Sequence, residues 1–414
     1  MAKIPSISMI PSGYKKDKIY SVLPTSGAGD FDFTRSSSAT RVNARGLIET
    51  VATGVPRLEY SLLNGVVNDC PSLLLEPSVT NYITNSETSA FIEYNNANSV
   101  TSNSGISPDG IFNAIKIDSN ANDIADSYRN AGSGVVATFS IFAKAGSSNL
   151  IGLNPRSTGA NSIAVFNLSN GEVTSTGGAQ YLGSSIKNYG NGWYRCSITF
   201  TTGSGSYINR LLFYDTGTYE IYGMQLENSS FTTSYIPTSG SAVTRVDDKA
   251  SGSGDANTFN DSEGVLMAEF KSLDSSDTSS RRLGITKDGT YEGFRLQLGS
   301  GNISVTVYDG ATNQYNKTVN LDNSIFHKVA LKYKANDFAL WIDGIEYFPQ
   351  SSGSTFVNGT LNDISFDYVG GNPFRGSTKQ LQYFDSALND SELETLTSWT
   401  SFKEMANGQS YTII

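Results

Sequence analysis

The 414 residues suffice for two or three domains of ~100–200 residues each. With 40 Gly, 22 Tyr, 21 Phe and only 16% charged residues, the chain is not a disordered one, which would need high charge and few aromatics. A formal charge of −10 with dispersed Lys and Arg excludes a phosphate-binding surface for nucleic acid, and two cysteines exclude a disulfide scaffold.

The opening stretch "MAKIPSISMIPSGYKKDK" lacks an apolar core of signal-peptide length. No apolar run approaches the ~20 residues of a membrane helix. The expectation is a product made in a cytoplasm, not inserted in a membrane and released without a signal peptide. "KKDK" (Lys15 to Lys18), the one basic cluster, reads as a solvated turn. Residues 1–80 are turn-rich, with short apolar runs such as "GLIETV" and "PSLLLEP". They predict an extended N-terminal docking region whose short strands lie against something larger.

Residues 81–248 predict an all-β domain. In "VVATFSIFAK", Ala137, Phe139 and Ile141 share one face, and Val136, Thr138 and Ser140 the other. In "WYRCSITF", Cys196 alternates with Tyr194, Ile198 and Phe200 and reads as a small core residue. Strands at 8–12-residue spacing with turns between them imply a jelly-roll sandwich. "DKASGSGDANTFNDSEG" then reads as a linker or long loop.

Residues 260–402 predict a second sandwich. Phe294, Leu296 and Leu298 face Ile303, Val305 and Val307 across a Gly-Ser-Gly turn, which describes antiparallel strands with one wet face. Asp343-Gly344 sits between alternating hydrophobics, a strong signal for a type I′ hairpin. In "LNDSELETLTSW", Asn389 and Glu392 have capping-box spacing and open a short closing helix. The fold class is therefore all-β, with two antiparallel β-sandwich domains in tandem after an extended N-terminal region. One echo crosses the chain: "SSATRVNARG" resembles "SAVTRVDDKA". It is either coincidence in a Ser/Thr-rich chain or a sign that Arg41 and Arg245 pin neighbouring domains.

"FHKVALKYKANDFALWIDGIEYF" and "LQYFDSALNDSELETLTSW" resemble a laminin-G-like domain of the concanavalin A-like lectin superfamily. That resemblance implies a two-sheet jelly roll that binds glycans or proteins, sometimes through calcium. "FDFTRSSSATRVNARGLIE", "PSLLLEPSVTNYITNSE" and "YEIYGMQLENSSFTTSYIPTSGSAVTRVDD" look like strings of tailed-bacteriophage virion proteins, where they accompany carbohydrate-binding-module-like jelly rolls. This second resemblance implies a tail or head fibre component located in the virion. Its partners would be other virion proteins and host-surface glycan, and it would be a homo-oligomer, with a trimer the first expectation.

His327 is the single histidine, so a multi-histidine zinc site is impossible and a catalytic triad would have to use it. It opens the inward face His327, Val329, Leu331, Tyr333 and reads as structural. Glucanases of the lectin superfamily carry a Glu-x-Asp-x-x-Glu strand; this chain has none, and Glu392 and Glu394 lie on the closing helix. The expectation is a non-enzyme without cofactor, calcium being compatible but unsupported by a motif. Sugar binding would use exposed aromatics and polar neighbours. The candidates are Tyr315, in the polar loop "DGATNQYNKT", Trp341, Tyr368, and Asp343 as a hydroxyl or cation acceptor.

Overall fold

In a computed structural model, the structure describes residues 3–68, 70–157, 160–205, 207–274, 281–287, 290–367, 369, 371–399 and 404. It is 50% strand and 4% helix, which settles the class as all-β. Among the described residues every pairing of named strands is antiparallel.

The middle sandwich has an eight-stranded sheet running Ser99–Thr101, Ile115–Ser119, Gly217–Glu227, Val136–Ala145, Trp193–Thr201 and Tyr181–Gly190, with Val79–Asn81 and Val243–Arg245 at its side. A seven-stranded sheet built on Asp123–Ser127, Ile208–Phe213, Leu150–Ser157 and Ile163–Asn167 faces it. Between them lie Phe139, Ile141, Ile151, Phe166, Cys196, Ile198, Phe200 and Phe213. The alternation expected of Val136–Ala145 is therefore present, and burial pushes the Cys196 thiol up into an inert, protonated form. The strand Gly217–Glu227 switches parity part-way. Tyr219 and Ile221 point into this core, and so do Met224 and Leu226. A β-bulge causes the switch: the register against Val136–Ala145 shifts between Ser140 and Phe142, and Gly223 takes φ +63°. Phe142 and Tyr222, which alternate with inward Ile141 and Ile221, lie on the outer face.

The C-terminal sandwich pairs an eight-stranded sheet with a five-stranded one. The smaller sheet contains Gly293–Gly299 and Asn302–Tyr308, in the register Phe294↔Val307, Leu296↔Val305 and Leu298↔Ile303, with all six side chains buried. In the larger sheet, Ile342 pairs with Ile345 around Asp343-Gly344, at φ +50° and +83°, so the hairpin is of type I′. Helix α1 (Asp390–Ser398) carries the expected capping box between Asn389 and Glu392. Its Leu393 and Leu396 close over the outer face of this sheet, burying Val265, Met267, Ala330 and Trp341.

Residues 1–80 differ from an extended arm. Ile7–Met9 and Ser72–Leu75 both pair with Gly376–Phe384, so the beginning of the chain completes the C-terminal sheet. Leu58–Glu59 adds a further strand at that edge. The expected linker is also structured. Lys249–Ser251 pairs with Phe31–Thr34, and Ala250 and Phe259 are buried in the C-terminal core. The physical reason is apolar burial: Ile7, Met9, Phe31, Phe33, Leu73 and Leu75 supply side chains that neither end of the chain could bury alone.

Where the pieces meet, charge is buried. Arg57 donates to Glu76 (2.5 Å) and to Asp248; Arg35 donates to Asp248 (2.9 Å); Arg245 pairs with Glu76 (2.9 Å) and donates to the Pro77 carbonyl (2.7 Å). Burial would push the Glu76 carboxyl up, but Arg245 and Arg57 override it and hold it at about 2. Arg245 thus ties its strand to Glu76 and Pro77 of the adjoining segment. Arg41 lies on a separate hairpin and pairs with Glu49 at 2.7 Å, while Arg57 and Arg35 hold the junction instead.

Candidate functional site

The site candidates expected from sequence do not converge. Tyr315 lies on the inward face of Asn313–Asn320, 1% exposed, stacked on Phe338 with its hydroxyl donating to the Phe348 carbonyl at 2.9 Å. A polar loop flanks it, but strand alternation turns the ring inward. Trp341 is 6% exposed under helix α1. Neither can stack on a sugar. Tyr368 lies outside the described residues.

Asp343 makes the turn and spends its carboxylate inside the fold. Oδ1 accepts from the Lys328 backbone N–H at 2.8 Å, and Oδ2 from His327 Nδ1 at 2.6 Å. His327 Nε2 donates to the Asp322 carbonyl at 2.8 Å. Both ring nitrogens face acceptors, an arrangement that favours the doubly protonated ring. The Asp343 hydrogen bond raises the His327 pKa against the lowering effect of burial. This is a structural clamp joining a hairpin to the loop before its strand.

The residues that do converge line a cleft of about 620 Å³ between the two sandwiches. One wall is the outer face of the middle sandwich, from Tyr181–Gly190 and Trp193–Thr201: Ser185, Lys187, Tyr189, Arg195, Ser197 and Thr199. Strand alternation explains the set, because Cys196 and Ile198 take the core and their neighbours must face out. The loop Ser230–Ser234 adds hydroxyls and Phe231. The opposite wall comes from the C-terminal sandwich: Lys271 and Ser272 at a strand end, Ser377, and Ser324 with Phe326. Glu59, Ser61, Ser72 and Leu74 from the N-terminal region close the third side.

The Phe326 ring is half-buried, with Lys379 Nζ 4.3 Å and Lys271 Nζ 5.1 Å from its centroid. Burial pushes the Glu59 carboxyl up to about 7, opposed by Lys187, by the Val42 backbone N–H at 2.6 Å and by Arg57. Glu76 lines the cleft but is committed to Arg57 and Arg245. Sequence reasoning missed this site because its walls come from three separated segments. The legible trace was the serine- and threonine-rich outward row of "YLGSSIKNYG" and "SSFTTS".

Two further carboxylates meet on the middle sandwich. The Tyr222 hydroxyl lies 2.9 Å from Glu87 Oε1 and 2.8 Å from Asp109 Oδ2, and burial pushes Glu87 up. Asp109 also accepts from Ser107 Oγ at 2.6 Å and the Ile111 N–H at 2.8 Å, so it is held from within.

No protein-family model matches the chain, and no curated protein matches it by sequence. Similar solved structures include the CBM40 module of the Ruminococcus gnavus IT-sialidase bound to α2,3-sialyllactose. It is 20% identical at TM-score 0.30, over 35% of this chain and 87% of that one. A heptameric SAP-like pentraxin from Limulus polyphemus is 13% identical at TM-score 0.28, over 34% and 72%. Domain 4 of a GH43 arabinanase from Geobacillus stearothermophilus, in complex with arabinotriose, is 12% identical at TM-score 0.27, over 41% and 83%. Scores this low carry no argument about this chain, whose β-sandwich class rests on its own pairings.

Proposed function

We propose that this protein binds a host-surface glycan through the cleft between its two sandwiches, as a non-enzymatic component of a bacteriophage fibre or appendage. The cleft carries the reading: hydroxyl-lined walls, with the half-buried rings of Phe231 and Phe326 among them, suit a saccharide's mixture of hydroxyls and apolar ring faces. The virion context rests on the resemblance of residues 31–49, 71–87 and 219–248 to phage virion strings. Weak contacts become firm attachment when copies are displayed together, so a homo-oligomer, first of all a trimer, belongs to the proposal.

A glycan array probed with the full chain tests it. Retention on host polysaccharide that weakens in Phe326→Ala supports the cleft, and silence on every glycan overturns it. Incubation with the bound polysaccharide should leave its length unchanged. Shortening that disappears in Glu87→Gln would replace binding with hydrolysis at the Glu87–Asp109 pair.

A second reading, a structural adaptor within the virion, is favoured by exposed apolar tips. Leu63 and Val66 flank one hairpin turn at 74% and 69% exposure, and Ile106, Ile111 and Phe112 share a loop. Imaging of the virion decides between them: a chain enclosed by other virion proteins supports the adaptor.

A further inference from the structure

We propose that the cleft selects an acidic saccharide, one bearing carboxylates, gripped between Lys187 of the middle sandwich and Lys271 of the C-terminal one; this rests on the glycan-binding reading of the cleft.

The first observation is unspent charge. Neighbouring lysines are paired, Lys144 with Glu220 at 3.2 Å and Lys379 with Glu269 at 3.3 Å. Lys187 and Lys271 form no ion pair among the described residues and lie only over the rings of Tyr189 and Phe326, 5.4 Å and 5.1 Å from their centroids, although the chain as a whole is acidic. Lys271 is half-buried, and its ammonium is pushed down by burial and then by the fields of Lys187 and Lys379. Like charges held together on facing walls stay unfavourable until an anion enters between them. Arg195, on the same wall as Lys187, is buried with an Nε that has no hydrogen-bond partner.

The second observation is the cleft's own carboxylates. Glu76 is consumed by two arginines below the surface. That leaves Glu59, which faces Lys187, Arg57, Glu76 and the Val42 N–H. Below pH 7 Glu59 is protonated and offers the lysines no counter-charge; above it, the ionised group competes with the ligand. A sugar carboxylate is ionised across this whole range, so the cleft binds it more tightly at pH 6 than at pH 8.

Titration calorimetry on the full chain tests this with three probes: hexuronate oligomers, the same oligomers with carboxyls reduced to alcohols, and a sulfated neutral oligomer. Hexuronate should bind, and carboxyl reduction should weaken it by about tenfold or more, the scale of a lost charge-assisted contact. K187M combined with K271M should weaken it comparably while the melting temperature stays unchanged. The Glu59→Gln variant should flatten the fall in affinity between pH 6 and pH 8. Reduced oligomers binding as tightly as acidic ones would overturn the inference and leave the glycan reading standing. Sulfated oligomers outcompeting hexuronate would overturn the carboxylate assignment. Hexuronate binding undiminished in the double lysine variant would remove it from the cleft. Silence towards all three probes, together with an unresponsive glycan array, overturns both readings.

Discussion

The outer faces of the two sandwiches were given different fates. In the C-terminal sandwich, helix α1 lies over the large sheet and buries Trp341, Val265 and Met267, so that face is a second core. In the middle sandwich, one part of the outer face is sealed: Phe142, Trp193, Tyr222 and Tyr235 pack together with Ile48 from the N-terminal region. The part carrying Ser185, Lys187, Ser197 and Thr199 is left lining the cleft. A row of outward side chains becomes a site only where no other segment covers it, and its chemistry records the difference. The sealed parts pack aromatic and aliphatic groups, and the open one carries hydroxyls and Lys187, which forms no ion pair among the described residues.

The comparison can be broken most forcefully at the junction. Asp248→Asn leaves Arg35 and Arg57 without their shared carboxylate and should cost about 3–5 kcal/mol, because an uncompensated charge stays buried. Denaturant unfolding measures it, and a loss under 1 kcal/mol would mean the junction is solvated. Trp341→Ala opens a hole under helix α1 and should cost about 3–4 kcal/mol, whereas Phe326→Ala in the cleft should cost far less and act on ligand affinity. Asn389→Ala removes the cap of the covering helix, with an expected loss of about 1 kcal/mol. At the small end, Lys187→Met should leave stability within about 0.5 kcal/mol.

The pH dependence sharpens the same contrast. The His327 pKa is raised, so its stabilising contribution is complete below the ordinary histidine value and is lost as pH rises through the raised one. Glu76 is depressed, so its contribution is present above the ordinary carboxylate value and is lost as pH falls towards about 2. NMR titration of the single imidazole, with Asp343→Asn as the control, should show its pKa fall in the variant.

Local signals were readable in the sequence wherever neighbours along the chain decide the outcome. Asp343-Gly344 dictated its hairpin, Asn389 and Glu392 their cap, and the alternation of Phe294, Leu296 and Leu298 their inward face. Contacts between distant segments were not readable. No period links Ile7 to Tyr383 or Phe33 to Ala250, and the bulge at Gly223 reverses the parity that strand counting assumes. The site was missed for the same reason. Tyr315 looked exposed beside polar neighbours, yet its strand face turned it inward, while the cleft drew its lysines from positions 187 and 271, which adjacency along the chain does not connect.

The pairing of Ile7 with Tyr383 also sets a timetable for synthesis. A ribosome adds on the order of 5–20 residues per second. The opening strand therefore emerges tens of seconds before its partner exists. The middle sandwich can close during that interval, since its strands lie nearer to one another along the chain. The C-terminal sheet must wait with exposed edges until residues 376–384 have been made, and this is the stage at which a chaperone, or a neighbouring copy of the chain, has the greatest opportunity to intervene.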